Sequence, residues 1–481
     1  MKRNVNPCGK LSRIKQACAF LIFGGTAAIH VPAQTFTTLA NFDSADGHGP
    51  TGPLLQGLDG NLYGTTIGGG SFSTCDSGCG TVFKITTSGQ LTTLHSFVTK
   101  DGDSPGGGLV QAANGDLYGI TIGGGYNLCV NGVGCGTIFK ITPDGVLTTI
   151  HMFSGSDGSS PQAPLLQGAD GHLYGTTHGS GAYGGGTLFE ITPQGSFTTL
   201  QDFVPESSGQ SLDYFITAQG ADGELYGITA NGGPSALGTI FKITLEGTLT
   251  TLFSFDAASG AHPDGLILAS DGNFYGTTVG GYLGPPVGSA FKITPWGEFT
   301  SLVNFSSQNG INPTTLTQGS DGNFYGTALE GGAYNDGTMF RMTPSGALTT
   351  LFNFTSFGLS STYGGVVQGT NGAFYGTTEG GGVRSNCTIF SLSVGLGAFI
   401  EIRPDLGQAG EIVEILGNAL TGATSVSFNG APAPFTVISS SSITARVPNG
   451  ATSGYVHVVT PAGPLSSNVP FGLLPQVRTT E

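Results

Sequence analysis

The sequence predicts an all-β fold: a seven-bladed β-propeller closed by an N-terminal strand, followed by an immunoglobulin-like β-sandwich. Three observations predict it. The phrase Leu/Phe-Tyr-Gly-Thr/Ile-Thr/Ala returns at Tyr63, Tyr118, Tyr174, Tyr226, Tyr275, Tyr325 and Tyr375, at intervals of 55, 56, 52, 49, 50 and 50 residues. A period of this size marks one supersecondary unit copied in tandem. Just before each phrase stands Asp-Gly or Asn-Gly, from Asp59-Gly60 to Asn371-Gly372, the dipeptide that supplies the positive φ angles of a tight hairpin. After about Leu396 the repeat gives way to a different set of short alternating strands.

Residues 1–33 stand apart. Lys2, Arg3, Lys10, Arg13 and Lys15 form a basic leader without an acid, an apolar stretch follows over 17–29, and small residues end at Ala33. This pattern predicts a secretory signal peptide, too short to be a membrane span. The protein is therefore expected to be secreted, at the cell exterior or surface, with the periplasm as the alternative. No later segment is long and apolar enough to span a bilayer as a helix.

Residues 34–395 are the expected propeller. The first repeat has β-type runs at 53–57, 61–66, 81–86 and 90–97, rich in aromatic and β-branched residues. Four antiparallel strands at a period near 50 residues describe a propeller blade. A fourth-strand phrase also stands at 35–42, ahead of the first complete repeat, while the seventh repeat stops after its third strand at 387–392. The early strand is expected to complete the last blade, leaving no open edge.

The Leu-Tyr-Gly-Thr-Thr, Gly-Gly-Gly, Gly-Thr-x-Phe-x-Ile-Thr and Leu-Thr-Thr-Leu-x-x-Phe elements resemble the GloVer-type tandem repeats of exported bacterial proteins, the choice-of-anchor group. The resemblance implies an exported, surface-associated protein. Over 396–475 the order of phrases, including Gly410-Glu411-Ile412-Val413-Glu414-Ile415-Leu416-Gly417 and Tyr455-Val456-His457-Val458-Val459, is similar to an IPT/TIG immunoglobulin-like domain. Such domains serve as spacers or contact modules. The tail, 476–481, has no anchor motif, so stable attachment is not expected.

The chain has a net charge of −15, and beyond the leader ten Lys or Arg face 30 acids. Such a surface repels phosphate backbones, which excludes nucleic acid as the expected partner. The 84 glycines show no Gly-X-Y period, and fit many tight turns. Cys75 with Cys79 and Cys129 with Cys135 predict two loop-stapling disulfides in an exported chain, a metal site being the rival reading. Cys387 is left as a free thiol or an intermolecular link.

Several candidate sites emerge. The innermost strands repeat a glutamine, Gln56, Gln111, Gln167, Gln219, Gln318 and Gln368, with Leu268 in the fifth copy. These amides either line a central channel for a ligand or satisfy backbone groups of the adjoining blade. The third strands repeat a cation, Lys84, Lys140, Lys242, Lys292 and Arg341, with Glu190 and Ser391 breaking the series, and structural use at the rim is expected. The loops after second and fourth strands share one face, and their aromatics Phe72, Tyr126, Tyr183, Tyr282 and Tyr334 stack on sugar rings or anchor the loops.

Acids gather on the same face: Asp43, Asp46, Asp101, Asp103 and Asp157. Paired carboxylates suit glycoside hydrolysis or calcium, whereas Asp in turns is also ordinary local capping. His95 and His151 share a fourth-strand slot filled elsewhere by Gln201, Phe253, Val303 and Phe352, so that slot is read as structural. No nucleophile elbow, zinc helix or phosphate loop stands in context. No catalytic residue is assigned, and calcium is the only cofactor these residues suggest. The expectation is a monomeric extracellular binding protein for carbohydrate or a surface protein. A polysaccharide hydrolase or lyase and a passive matrix component are the alternatives.

Overall fold

The computed structural model describes residues 34–474, less 51, 72–74, 76, 126–128, 130–133, 205–213, 281–286, 356–358, 361–363 and 382–386. The expected signal peptide and tail lie outside the described residues. Every repeat folds into an antiparallel sheet, with its strands in sequence order in the first six. In the first they are Leu55–Gln56, Leu62–Thr66, Thr81–Ile85 and Leu91–Ser96. The second strand, LYGTT, is buried at every position, and the third is buried except at Lys84. A strand covered on both faces reads as a continuous buried run, whereas the fourth strand is half-buried at all positions but Thr92, as a rim strand should be.

Local chemistry explains the repeated phrase. Gly60 has φ 82° and its N–H closes the turn onto the Gly57 carbonyl at 2.8 Å. The Tyr63 hydroxyl donates to Asp59 Oδ2 at 2.8 Å, and Tyr174 and Tyr226 meet Asp170 and Asp222 in the same way at 2.6 and 2.7 Å. Where the turn carries Asn114 or Asn371, its amide donates instead to the Tyr118 or Tyr375 hydroxyl. The tyrosine thus ties each hairpin to its own turn, and its ring is buried. Burial and the neighbouring Asp59 push the Tyr63 hydroxyl far above the ordinary tyrosine range.

Consecutive sheets bury shared apolar clusters. Tyr63, Val82 and Phe97 of the first repeat pack with Leu117, Phe139 and Ile141 of the second. Equivalent clusters join every following pair. The strand Thr35–Asn41 pairs antiparallel with Thr388–Ser393, giving the last sheet its fourth strand, and Phe42, Leu54, Phe83 and Ile389 form a cluster between the seventh repeat and the first. At the same place in every sheet the register slips by one residue, leaving Leu39, Leu94, Ile150, Leu200, Leu252, Leu302 or Leu351 as a bulge. Bulges sharpen twist, which stacked sheets require.

First strands differ from expectation. The first is two residues long, and in the third and sixth sheets it is split into Ser159–Pro161 with Leu166–Gln167 and Ile311–Pro313 with Thr317–Gln318. Four sheets are entered through unusual backbone: Ser104, Ser160, His262 and Asn312, each before a proline, have φ of 56°, 53°, 51° and 55°. The proline that follows still pairs, as Pro161 with Thr177 and Pro313 with Ala328, and the gaps in the third and sixth sheets lie after it, at 162–165 and 314–316.

The C-terminal domain is two sheets face to face. One orders Glu401–Arg403, Ile412–Leu416, Ser442–Arg446 and Phe435–Val437; the other orders Ala431–Pro432, Ser425–Phe428, Val456–Thr460 and Gly463–Ser466. Ile415, Val426, Phe428, Ile443, Val456, Val458 and Phe471 fill the space between them. It meets the turn end of the repeats: Ser441 Oγ donates to the Leu58 carbonyl at 2.7 Å, and the Phe399 N–H to the Thr370 carbonyl at 3.0 Å. Among the described residues no helix is long and apolar enough to cross a membrane.

Candidate functional site

The first strands and the chain just before them, from all seven repeats, converge on one cavity of about 480 Å³, with Pro53, Gly107, Leu165, Ile216, Asp264, Thr315 and Val366 in its wall, one from each repeat. These residues lie in the entry half of a first strand or just before one, away from the Asp-Gly turns and so away from the C-terminal domain. The strained entry residues are held from the neighbouring sheet. Ser104 and Ser160 N–H donate to the carbonyls of Cys79 and Cys135, and His262 and Asn312 N–H to those of Leu237 and Val287. Both predicted disulfides, Cys75–Cys79 and Cys129–Cys135, are formed, so they brace two of these loops. Cys387 is a buried free thiol, not an exposed linker.

Asp264 is the one titratable residue among the described residues of the cavity wall. Protein surrounds it on nearly all sides, yet its own surface is open to the cavity. Burial pushes its carboxyl up to about 6, against a hydrogen bond from the Thr315 backbone N–H that lowers it. Sequence reasoning missed this residue. The signal was present: after the entry proline, the second, third and sixth repeats carry Gly106, Gln162 and Thr314, and the fifth alone carries an acid.

The six repeated glutamines are not in that wall. Gln111, Gln219, Gln318, Gln368 and Gln56 each accept, at 2.8 Å, a backbone N–H from the preceding sheet's turn: Leu58, Ala169, Ser270, Ser320 and Thr370. Their Nε2 groups donate to their own turns, as Gln111 does to the Gly115 carbonyl at 2.8 Å. Gln167 holds the corresponding strand position in the third sheet. The amides act as staples between sheets, and the channel-lining expectation gives way to the backbone-satisfying one.

The five loop acids fall in three loops, and each is held by local hydrogen bonds. Asp43 Oδ1 accepts the N–H groups of Ala45 and Asp46 at 2.8 and 2.9 Å. Asp46 accepts the Thr93 hydroxyl, and Asp103 the Ser104 hydroxyl. Asp101 accepts the Val98 N–H and meets His95 Nε2 at 3.1 Å; Asp157 accepts the Ser154 N–H and hydroxyl and meets His151 Nε2 at 2.9 Å. Burial pushes Asp46 up, with Asp43 adding to it. Burial acts the same way on Asp157, but the Ser154 bonds and His151 outweigh it and hold that carboxyl below its usual range.

Among the described residues, potential metal-ligating atoms come together at Asp170, His172 and Glu190, and at the loop acid Asp103 beside the disulfide-bonded Cys75 and Cys79. The first cluster is a charge exchange. Lys140 pairs with Asp116 at 3.5 Å and Lys292 with Asp271 at 3.1 Å, whereas in the third repeat Glu190 takes the strand position and His172 the turn. Of the loop aromatics, Tyr183 and Tyr334 are 62% and 63% exposed, while Phe72, Tyr126 and Tyr282 lie outside the described residues. Trp296, 74% exposed at a rim turn, was not singled out by the repeat pattern.

The sequence matches the family model described as the Gloeobacter/Verrucomicrobia repeat over residues 23–133, 76–282 and 215–403, and the IPT/TIG domain model over 400–472. No curated protein is similar to the chain. Among solved structures, a fungal alcohol oxidase of the AA5 family, in complex with copper, is similar over 93% of this chain and 100% of its own. Its TM-score is 0.52 and its identity 14%. A puromycin hydrolase mutant aligns over 78% of this chain and 60% of its own (TM-score 0.48, 12% identity), and a luciferin-regenerating enzyme over 61% and 92% (0.39, 15%). The oxidase likeness speaks for fold alone, and the other two carry no argument.

Proposed function

Because the chain belongs to the Gloeobacter/Verrucomicrobia repeat family and carries a C-terminal IPT/TIG domain, we propose that it is an exported, monomeric binding protein. Its repeats form a closed seven-bladed β-propeller, completed by Thr35–Asn41, that takes a carbohydrate or a surface protein at the mouth of its central cavity. The observation that carries this reading is the cavity walled by residues from every repeat, the form of a concave site on a rigid frame. Two disulfides and the basic, then apolar, stretch of 1–33 support export. The IPT/TIG domain packs at the turn end, which leaves the loop end for a partner.

Hydrolysis of a polysaccharide is the weaker alternative. A glycosidase uses two facing carboxylates, and the described cavity wall contains one, while the loop acids serve as caps. A glycan-array screen of the chain from Gln34, with calcium and again with chelator, tests the proposal. Saturable binding without release of reducing ends is the expected result. A blank array together with no surface-protein partner would overturn it in favour of a passive matrix role.

A further inference from the structure

We propose that the central cavity takes a cationic amino sugar, whose ammonium group is held by Asp264. This rests on the binding role proposed above and names the ligand class of the same cavity. Four features argue for it. Asp264 is the single titratable group among the described residues of the wall, and its carboxyl has one backbone donor, from Thr315. Asp43, Asp101 and Asp157 are engaged in loop capping, whereas Asp264 faces the cavity. Asp264 presents an exposed surface to the cavity, so a cation entering there can reach its carboxylate and pair with it. The net charge of −15 adds a field that draws cations and repels anions.

The rest of the wall selects the kind of cation. A metal ion needs several oxygen or nitrogen ligands, and the described wall offers one carboxylate. Ile267 gives apolar surface for the C–H face of a sugar ring, and Gln162, Thr217 and Thr315 provide polar groups for hydroxyls. Gly106 and Gly265 keep side chains out of the space. The volume of about 480 Å³ lies in the range of small-molecule sites.

Calorimetric titration of D-glucosamine into the protein at about pH 7.5 tests this. N-acetyl-D-glucosamine serves as the uncharged twin and n-butylamine as the amine without a ring. Glucosamine is expected to saturate one site, and both controls to bind at least about tenfold more weakly. Asp264→Asn should weaken glucosamine by a similar factor, as should lowering the pH of the unsubstituted protein to about 4.5, where the carboxyl is neutral. The pH arm stands even if the variant fails to fold. Absence of glucosamine binding, equal binding of either control, or unchanged affinity in Asp264→Asn would each overturn the inference. If a neutral glycan from the array still binds, the binding role survives and the amino-sugar assignment alone falls.

Discussion

Gln56 Oε1 accepts the backbone N–H of Thr370 at 2.8 Å, joining the first repeat to the seventh across 314 residues of sequence. Thr370 is fully buried, and its other polar atoms are engaged as well. Its carbonyl accepts the Phe399 N–H at 3.0 Å, and its hydroxyl accepts from Asn418 Nδ2 at 2.7 Å. One residue therefore ties the seventh sheet to both the first sheet and the C-terminal domain. The staple there is the same as at interior junctions, such as Gln111 with Leu58.

That equivalence can be measured. Gln56→Leu leaves the Thr370 N–H buried without its acceptor, which costs about 1–3 kcal/mol. Gln111→Leu should cost a similar amount by orphaning Leu58. Urea unfolding of the two variants checks this. A full penalty for Gln111→Leu with none for Gln56→Leu would mean that the first and seventh repeats do not meet in solution. Leu268 fills the slot naturally in the fifth repeat, so the side chain itself fits.

Removal of residues 34–42 should be far more damaging than loss of an ordinary terminus. Phe36 stacks on Phe352 at 4.2 Å and on Phe390 at 5.2 Å, and Phe42 packs edge-on against Phe83 at 5.1 Å. The truncation bares Thr388–Ser393 as a sheet edge, so a lowered melting temperature and self-association are expected together. Phe42→Ala alone, at a site 2% exposed, should cost about 3–5 kcal/mol. Melting of the truncated chain at the temperature of the longer one, without association in sedimentation, would refute ring closure by this strand.

The turn between third and fourth strands makes a separate demand for glycine. Gly89 has φ +97°, and a Cβ added there would lie 2.6 Å from the carbonyl oxygen of the bulge residue Leu39 in the seventh sheet. Gly171 has φ +82° with nothing within 4 Å of the added atom. Both alanine variants suffer the backbone penalty, on the order of 1 kcal/mol. Only Gly89→Ala also pushes sheets apart. Its unfolding free energy should therefore fall below that of Gly171→Ala, and equal losses would show that the Leu39 bulge does not abut this turn.

The sheet order was legible because each hairpin is specified within a few residues. Asp59-Gly60 sets the turn, and Tyr63 reaches back to the same Asp59. The glutamine staples were visible as a repeat but not as bonds, since each partner lies in the preceding sheet, 53 residues away for Gln111. The cavity was least legible. Four of the seven segments in its wall are entered through Ser104, Ser160, His262 and Asn312 at positive φ, where neither propensity nor alternation predicts the path. Asp264 broke the repeat at one position, and its consequence follows only once seven strands converge.

The same residue makes a prediction about stability. Burial raises the Asp264 carboxyl from 3.8 to about 6 in the folded protein. Between those values the folded state holds a proton that the unfolded chain has released, so stability falls as pH rises from about 4 to about 6 and stays lower above it. Asp405, in the C-terminal domain, is raised by burial to about 6 and acts with the same sign. Asp264→Asn deletes only the first of these. It should raise the melting temperature at about pH 7.5, leave it nearly unchanged at about pH 4, and flatten the decline between them. A variant less stable than the unsubstituted protein at both pH values would mean that the carboxylate is satisfied by its surroundings. The combination of gained stability and lost glucosamine binding would mark Asp264 as a group kept for its ligand at a cost to the fold.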